Sequence, residues 1–246
     1  MQTQPRVFIA GDSTAAHYDK ARIPQAGWGQ ALQAFTAPGV EIVDRAWPGA
    51  SSKSYAEDGA LDAIVRDIRP GDWMMISFGH NDQKLEDPNR GTEPYGEYQR
   101  YLRRYIEAAR RHEAGPVLVT PVERRRFRDG NACEALGEYP AAMLALAEKE
   151  DVPVVDLHAA SLAMWRELGE ERTKDYFLWV EPGHPNYPDG LEDDTHFNAK
   201  GAIEVARLAA KEAAARGIMG AGVWSGLHHQ VSEDELVWLE EFPDLT

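Results

Sequence analysis

Five short apolar runs punctuate the chain: Arg6–Ala10, Glu41–Arg45, Trp73–Phe78, Pro116–Thr120 and Val152–Asp156. They are near-continuous in Val, Ile, Met and Phe, the pattern of strands buried on both faces of a parallel sheet. Longer amphipathic stretches separate them. In Leu61, Ile64, Val65 and Ile68 the apolar positions recur at helical spacing. Helices are expected over Trp28–Phe35, Tyr55–Ile68, Tyr95–His112, Cys133–Glu150 and Asn198–Arg216. Strands alternating with helices predict an α/β fold: a three-layer doubly wound sandwich around a mainly five-stranded parallel sheet. Right-handed crossovers leave few topologies, of which a flavodoxin-like strand order is the leading one.

Two segments break this rhythm. Glu170–Thr195 is rich in proline, aromatic and acidic residues, and a long irregular stretch inside an α/β domain reads as a functional loop. From Gly217 onward the chain changes character, so residues 1–216 are expected to form the domain and 217–246 a tail. Trp224, Leu227, Val237, Trp238, Leu239 and Phe242 are too apolar to be left in water. The tail is expected to dock on the body or on a neighbouring subunit, which makes a homo-oligomer a candidate assembly. No Pro-, Gly- or Ser-rich linker or internal repeat divides the chain.

Composition narrows the function. With 43% hydrophobic residues over 246 positions, the chain can build a core that needs neither disulfide nor metal. Its one cysteine, Cys133, has no partner in the chain. A formal net charge of -15 argues against nucleic acid or an anionic membrane as partner, because both select a basic surface. The opening Met-Gln-Thr-Gln-Pro-Arg runs into a strand too short for a signal-peptide core or a membrane span. The expected location is therefore cytoplasmic.

In an open α/β sheet, ligands bind at the carboxyl ends of the strands. Strand one delivers Gly11-Asp12-Ser13-Thr14, the second Ala46-Trp47-Pro48-Gly49-Ala50-Ser51-Ser52, and the third Gly79-His80-Asn81-Asp82. Asp193-Asp194-Thr195-His196 precedes the last helix. Together they supply a serine, a glycine amide, an asparagine, and a histidine with an aspartate three residues before it: the parts for acyl transfer. A serine hydroxyl becomes nucleophilic when a histidine takes its proton, and that histidine needs a carboxylate to fix its tautomer. Asp193 and His196 can meet within one turn, which favours Asp193 over Asp194 as the orienting carboxylate. The Ser13 N–H, the Gly49 N–H and the Asn81 side-chain amide are candidate oxyanion donors. Gly11-Asp12-Ser13-Thr14 itself reads as a strand-to-helix turn, since Asp and Ser are good N-caps.

These blocks resemble those of the SGNH (GDSL-type) hydrolase superfamily: Gly-Asp-Ser at the first strand, Gly-His-Asn-Asp after the third and Asp-x-x-His near the end. "RAWPGASSKSY" (45–55), "ISFGHNDQ" (76–83), "VLVTPVERRRF" (117–127) and "DDTHFNAKGA" (193–202) are similar to its rhamnogalacturonan acetylesterase branch. The resemblance implies Ser13 as nucleophile, His196 as base, Asp193 as its orienter, and Ser13, Gly49 and Asn81 as the oxyanion hole. It implies a carbohydrate acetylesterase that needs no cofactor and acts on acetylated sugars or oligosaccharides derived from pectin or xylan. Ala50 stands where the branch usually has arginine. That loss of a cation weighs against an acidic pectic backbone and toward neutral or mixed substrates. An esterase or thioesterase for non-sugar acyl groups is the rival enzyme reading, although it would call for an apolar trough. A non-catalytic sugar-binding module is the rival from another class, and the intact catalytic set speaks against it.

Other residues have humbler readings. Trp47, Arg125 and Trp179 are candidates for substrate binding. His80 is a further one, although the favoured reading is a buried residue bonded to Asp12 or to a neighbouring turn. The acidic and histidine-rich stretch His184, Asp189, Glu192, Asp193, Asp194 and His196 lacks a recognised metal-ligand spacing, so no metal is expected. His228-His229 implies no chemistry.

Overall fold

The computed structural model describes residues 5–243. Its centre is a parallel sheet of β1 (Arg6–Gly11), β3 (Glu41–Asp44), β4 (Trp73–Ser77), β5 (Gly115–Val119) and β8 (Val154–Val155), in the order β3-β1-β4-β5-β8. This is the expected five-stranded, flavodoxin-like arrangement, with the chain's first strand inside the sheet. β1 pairs with β4 from Val7 against Trp73 to Gly11 against Ser77, so the two strand ends that carry the Gly11–Thr14 and Gly79–Asp82 motifs lie side by side.

Alternate residues of each strand enter opposite cores. Val7, Ile9, Met75, Val117 and Val119 face one core, with α1 (Trp28–Leu32), α6 (Leu157–Thr173) and α7 (Ala199–Ala215). Phe8, Ala10, Met74, Ile76 and Leu118 face the other. That side is covered by α2 (Ser52–Glu57), α3 (Ala60–Asp67), α4 (Gln99–Arg111) and α5 (Tyr139–Glu150). Apolar residues run continuously along these strands because both faces are buried.

Several elements differ from expectation. The helix expected over Tyr55–Ile68 is two helices broken at Gly59, whose φ of 87° an L side chain would resist. α5 begins only at Tyr139: a small hairpin of Phe127–Arg128 (β6) and Asn131–Ala132 (β7) is followed by a turn in which Gly137 takes a φ of 53°. α6 was not anticipated: its apolar positions sit among many charged ones, and Gly169 interrupts it with a φ of 75°. The stretch 170–195 is less irregular than its composition implies. It contains the end of α6 and most of an antiparallel pair, β9 (Phe177–Val180) and β10 (Leu191–Asn198), with β2 (Gln25–Ala26) on the far edge of β10.

The chain after Gly217 packs on the same molecule. Trp224 is buried and its Nε1 donates to Ile218 O, and Leu236 lies in the α1/α7 core. Among the large apolar residues there, Val237 stays exposed. Of the apolar tail side chains, Trp224 is buried on the chain's own body and Leu227, Trp238, Leu239 and Phe242 are partly so. Among the described residues no helix is long and apolar enough to cross a membrane.

Candidate active site

Ser13 is held by a turn in which Asp12 does most of the bonding. Its Oδ1 accepts from Thr14 N and Thr14 Oγ1, at 2.9 and 2.8 Å, and its carbonyl accepts from Ala15 N and Ala16 N. No helix follows. The carbonyls of Thr14 and Ala15 instead accept from Trp28 N and Gly29 N, the first amides of α1. The expected strand-to-helix turn is therefore a strand-to-loop turn whose carbonyls cap a helix further along the chain. This contact is close: a Cβ on Gly27 would lie 2.3 Å from Ala16 O, so only glycine fits there.

Asp193 and His196 meet, but not on a helix. Both lie on β10, where a register shift against β9 falls between Asp193 and Phe197. On a regular strand, residues three apart point to opposite faces, and the irregularity re-aims one of them. Asp193 Oδ1 accepts from Thr195 N and His196 N at 2.7 and 2.9 Å, curling the strand around its own carboxylate. Its Oδ2 accepts from His196 Nδ1 at 2.7 Å. A carboxylate only accepts, so the imidazole proton is placed on Nδ1 and Nε2 is left to accept from Ser13 Oγ at 2.9 Å. Burial works against the charge on Asp193, yet the hydrogen bonds and charge of His196 and the two amides prevail and hold its carboxyl at about 2.

The oxyanion candidates line the same cleft as that hydroxyl. Neither Ser13 N–H nor Gly49 N–H has a hydrogen-bond acceptor among the described residues. Gly49 has a φ of 82° and no atom near where a Cβ would stand. Asn81 is buried, and its Nδ2 donates one proton to Ala50 O at 2.9 Å. Behind it, Asp82 accepts from Ser52 N, Ser52 Oγ and Thr92 Oγ1, tying the β4 loop to the start of α2. Burial pushes the Asp82 carboxyl up to about 6 despite these bonds.

The remaining sequence candidates divide. Trp47 lines the cleft that holds Ser13, Gly49, Asn81 and His196, a space of about 550 Å³. His80 is buried between Asp12 Oδ2 and Val122 O, so it braces the Ser13 turn away from the cleft. Arg125 is also buried: it bonds Asp194, Thr173 Oγ1 and Glu170 O. Trp179 lies over the Arg125 guanidinium and donates to Asp194. Asp194 is thereby engaged away from His196. Among the described residues, no three His, Cys, Asp or Glu side chains are placed to hold a metal ion.

Sequence reasoning missed Tyr18, Asp19, Arg22, Gln25, Lys84 and Phe242, which also line the cleft. Most come from the loop between β1 and α1 or from the chain's last residues, where no periodicity or motif marks them. Lys84 could have been noticed as the residue three places after Asn81, one turn onward. Arg22 and Lys84 put cations in the cleft even though position 50 is alanine.

The model of the GDSL-like lipase/acylhydrolase family matches residues 9–202, a span that includes Ser13, Gly49, Asn81, Asp193 and His196. The chain belongs to this family. Membership makes it an acylhydrolase, as the motifs led one to expect. The resemblance to the rhamnogalacturonan acetylesterase branch also holds. The chain is 47% identical over 213 residues to the rhamnogalacturonan acetylesterase RhgT of Bacillus subtilis, covering 86% of this chain and 90% of that one. It is 40% identical over 205 residues to the probable rhamnogalacturonan acetylesterase YesY of the same organism, covering 83% and 90%. The crystal structure of B. subtilis YxiM superposes with a TM-score of 0.76 at 31% identity, over 89% of this chain and 58% of that one.

Proposed function

We propose that the protein is a serine acetylesterase that removes acetyl groups from the hydroxyls of pectic saccharides through an acyl-enzyme. The observation that carries this reading is the unbroken relay from Asp193 through His196 to Ser13, open to a polar and aromatic cleft. Ser13 Oγ attacks the acetyl carbonyl as His196 Nε2 takes its proton. Ser13 N–H, Gly49 N–H and the second Nδ2 proton of Asn81 receive the oxyanion. His196 then protonates the departing sugar oxygen, and water repeats the sequence on the acetyl-enzyme. Ser13, His196 and water account for every proton in the cycle.

The cleft's character supports a saccharide over a fatty acyl chain. Its walls carry Asp19, Arg22, Gln25 and Lys84 beside Tyr18, Trp47 and Phe242, with no aliphatic trough among the lining residues. The relatives' names support pectic sugars, and the two cations offset the absence of arginine at position 50. The test is acetate release from acetylated rhamnogalacturonan oligosaccharides, acetylated xylo-oligosaccharides and a series of aryl esters from acetate to octanoate. Release from the pectic set, lost in Ser13→Ala, is the expected result. Rates that climb from acetate to octanoate with no release from any saccharide would overturn the reading.

A further inference from the structure

We propose that Phe242 and Trp47 together form an aromatic wall of the cleft on which a sugar ring of the substrate stacks, so that the C-terminal segment sets the preference for saccharide esters over small acyl esters. This rests on the function proposed above and names a specificity determinant outside the span matched by the family model, which ends at residue 202.

Phe242 lines the same cavity as Ser13, Asn81 and His196. Its ring lies 4.9 Å from that of Trp47, centroid to centroid, at an interplanar angle of 66°, and 6.3 Å from that of Tyr18. The ring belongs to neither core cluster and is only half-buried, so packing in the protein interior does not account for it.

The approach of the tail is built residue by residue. Leu239 N–H donates to Tyr18 O and Lys20 N–H donates to Leu239 O, both at 3.0 Å, giving a parallel bridge between the tail and the loop that lines the cleft. One step earlier, Trp238 Nε1 donates to Gln25 O at 3.1 Å and Gln30 Nε2 donates to Val237 O at 2.8 Å. Glu240 pairs with Lys20 on the outside. Four consecutive residues, Val237 to Glu240, are thus fixed to the 18–30 region, and Phe242 follows two positions later at the cleft. Ordering these residues costs conformational entropy, which the bonds to the loop must offset. Aromatic rings present a negatively polarised face, to which the C–H groups on an apolar sugar face are complementary. A pocket with a few polar anchors and an aromatic wall suits a ligand that is polar at its edges and apolar on its faces.

The test uses the full-length protein, Phe242→Leu and Phe242→Tyr, with kinetics on acetylated rhamnogalacturonan oligosaccharides and on 4-nitrophenyl acetate. Leucine keeps the apolar packing and removes the ring, whereas tyrosine keeps the ring. The expected result is that F242L lowers the ratio of kcat/KM on the saccharide to that on the aryl ester about tenfold, mainly through saccharide KM, while F242Y stays within about twofold of the parent ratio. A parent ratio kept by F242L, or F242Y falling as far as F242L, overturns the aromatic wall alone. A parent enzyme that releases no acetate from any saccharide overturns the proposed function, and this inference with it.

Discussion

Lys84 Nζ donates to Asn81 Oδ1 at 2.8 Å while Asn81 Nδ2 donates to Ala50 O at 2.9 Å, and the two contacts together fix which way the amide faces. An ammonium group only donates and a carbonyl only accepts, so rotating the amide would oppose both. The second Nδ2 proton is therefore held toward the cleft. Lys84 sits below the usual lysine range because of its partial burial and the nearby charges of Arg90 and Arg124.

Lys84→Met should consequently reduce kcat on 4-nitrophenyl acetate by roughly tenfold with little change in KM. Asn81→Ala should cost about 10²–10³-fold, as for loss of one oxyanion donor. The double variant should match Asn81→Ala, because Lys84 acts through Asn81. Fully additive losses in steady-state kinetics would show an independent role for Lys84.

The two neighbouring aspartates make a second contrast. Asp193→Asn keeps the shape but removes the charge that fixes the His196 tautomer, and should lower kcat by about 10³–10⁴-fold. Asp194→Asn, whose carboxylate meets Arg125 and Trp179 instead, should leave kcat within about threefold. Equal losses in the two variants would refute the assignment of Asp193.

Arg125 should reveal itself in melting and not in binding. Its side chain is 7% exposed and holds Asp194, Thr173 and Glu170 together. Arg125→Ala leaves these groups partly unpaired, at a cost of about 2–4 kcal/mol. Thermal unfolding should show the loss, with saccharide KM changed by less than about threefold.

Asp44 predicts a pH dependence of stability. Its Oδ1 accepts from Ala46 N at 2.9 Å, but Oδ2 is shut off from solvent and has no partner among the described residues. Burial outweighs the Ala46 hydrogen bond and the charge of Arg45, and raises the carboxyl to about 8. The folded protein therefore binds this proton more tightly than the unfolded chain does. Its contribution to stability is full below the ordinary aspartate value near 4 and disappears as pH rises through about 8. Between pH 5 and 8.5 the parent should lose more thermal stability than Asp44→Asn, by an amount on the order of a few kcal/mol. Parallel melting curves for the two across that range would refute a protonated Asp44.

What the sequence made legible follows from how locally each feature is encoded. The parallel strands announced themselves because burial on both faces forces continuous apolar runs. Three of the site motifs stand at the ends of parallel strands, where the fold rule for ligand position points, whereas Asp193–His196 lies within β10. Asp193 was preferred for a reason the structure replaces: a strand irregularity, not a helical turn, brings it to His196. Arg125 and Trp179 looked like ligand contacts because a guanidinium and an indole look alike in sequence whether they meet a sugar or each other. The apolar character of Phe242 signalled only that the tail docks; its place at the cleft depends on backbone bonds from Leu239 to Tyr18 and Lys20, more than two hundred positions earlier.

Ser13 stands at the end of the parallel sheet, whereas Asp193 and His196 ride on β10 of the small antiparallel sheet. The 2.9 Å bond between Ser13 and His196 thus spans a seam between two parts of unequal burial. Regions with fewer buried contacts open first, so gentle warming should silence the enzyme while its five-stranded heart is still intact. Catalytic rate is, in that sense, a gauge of alignment between two sheets, and it would register slippage that a bulk melting signal averages away.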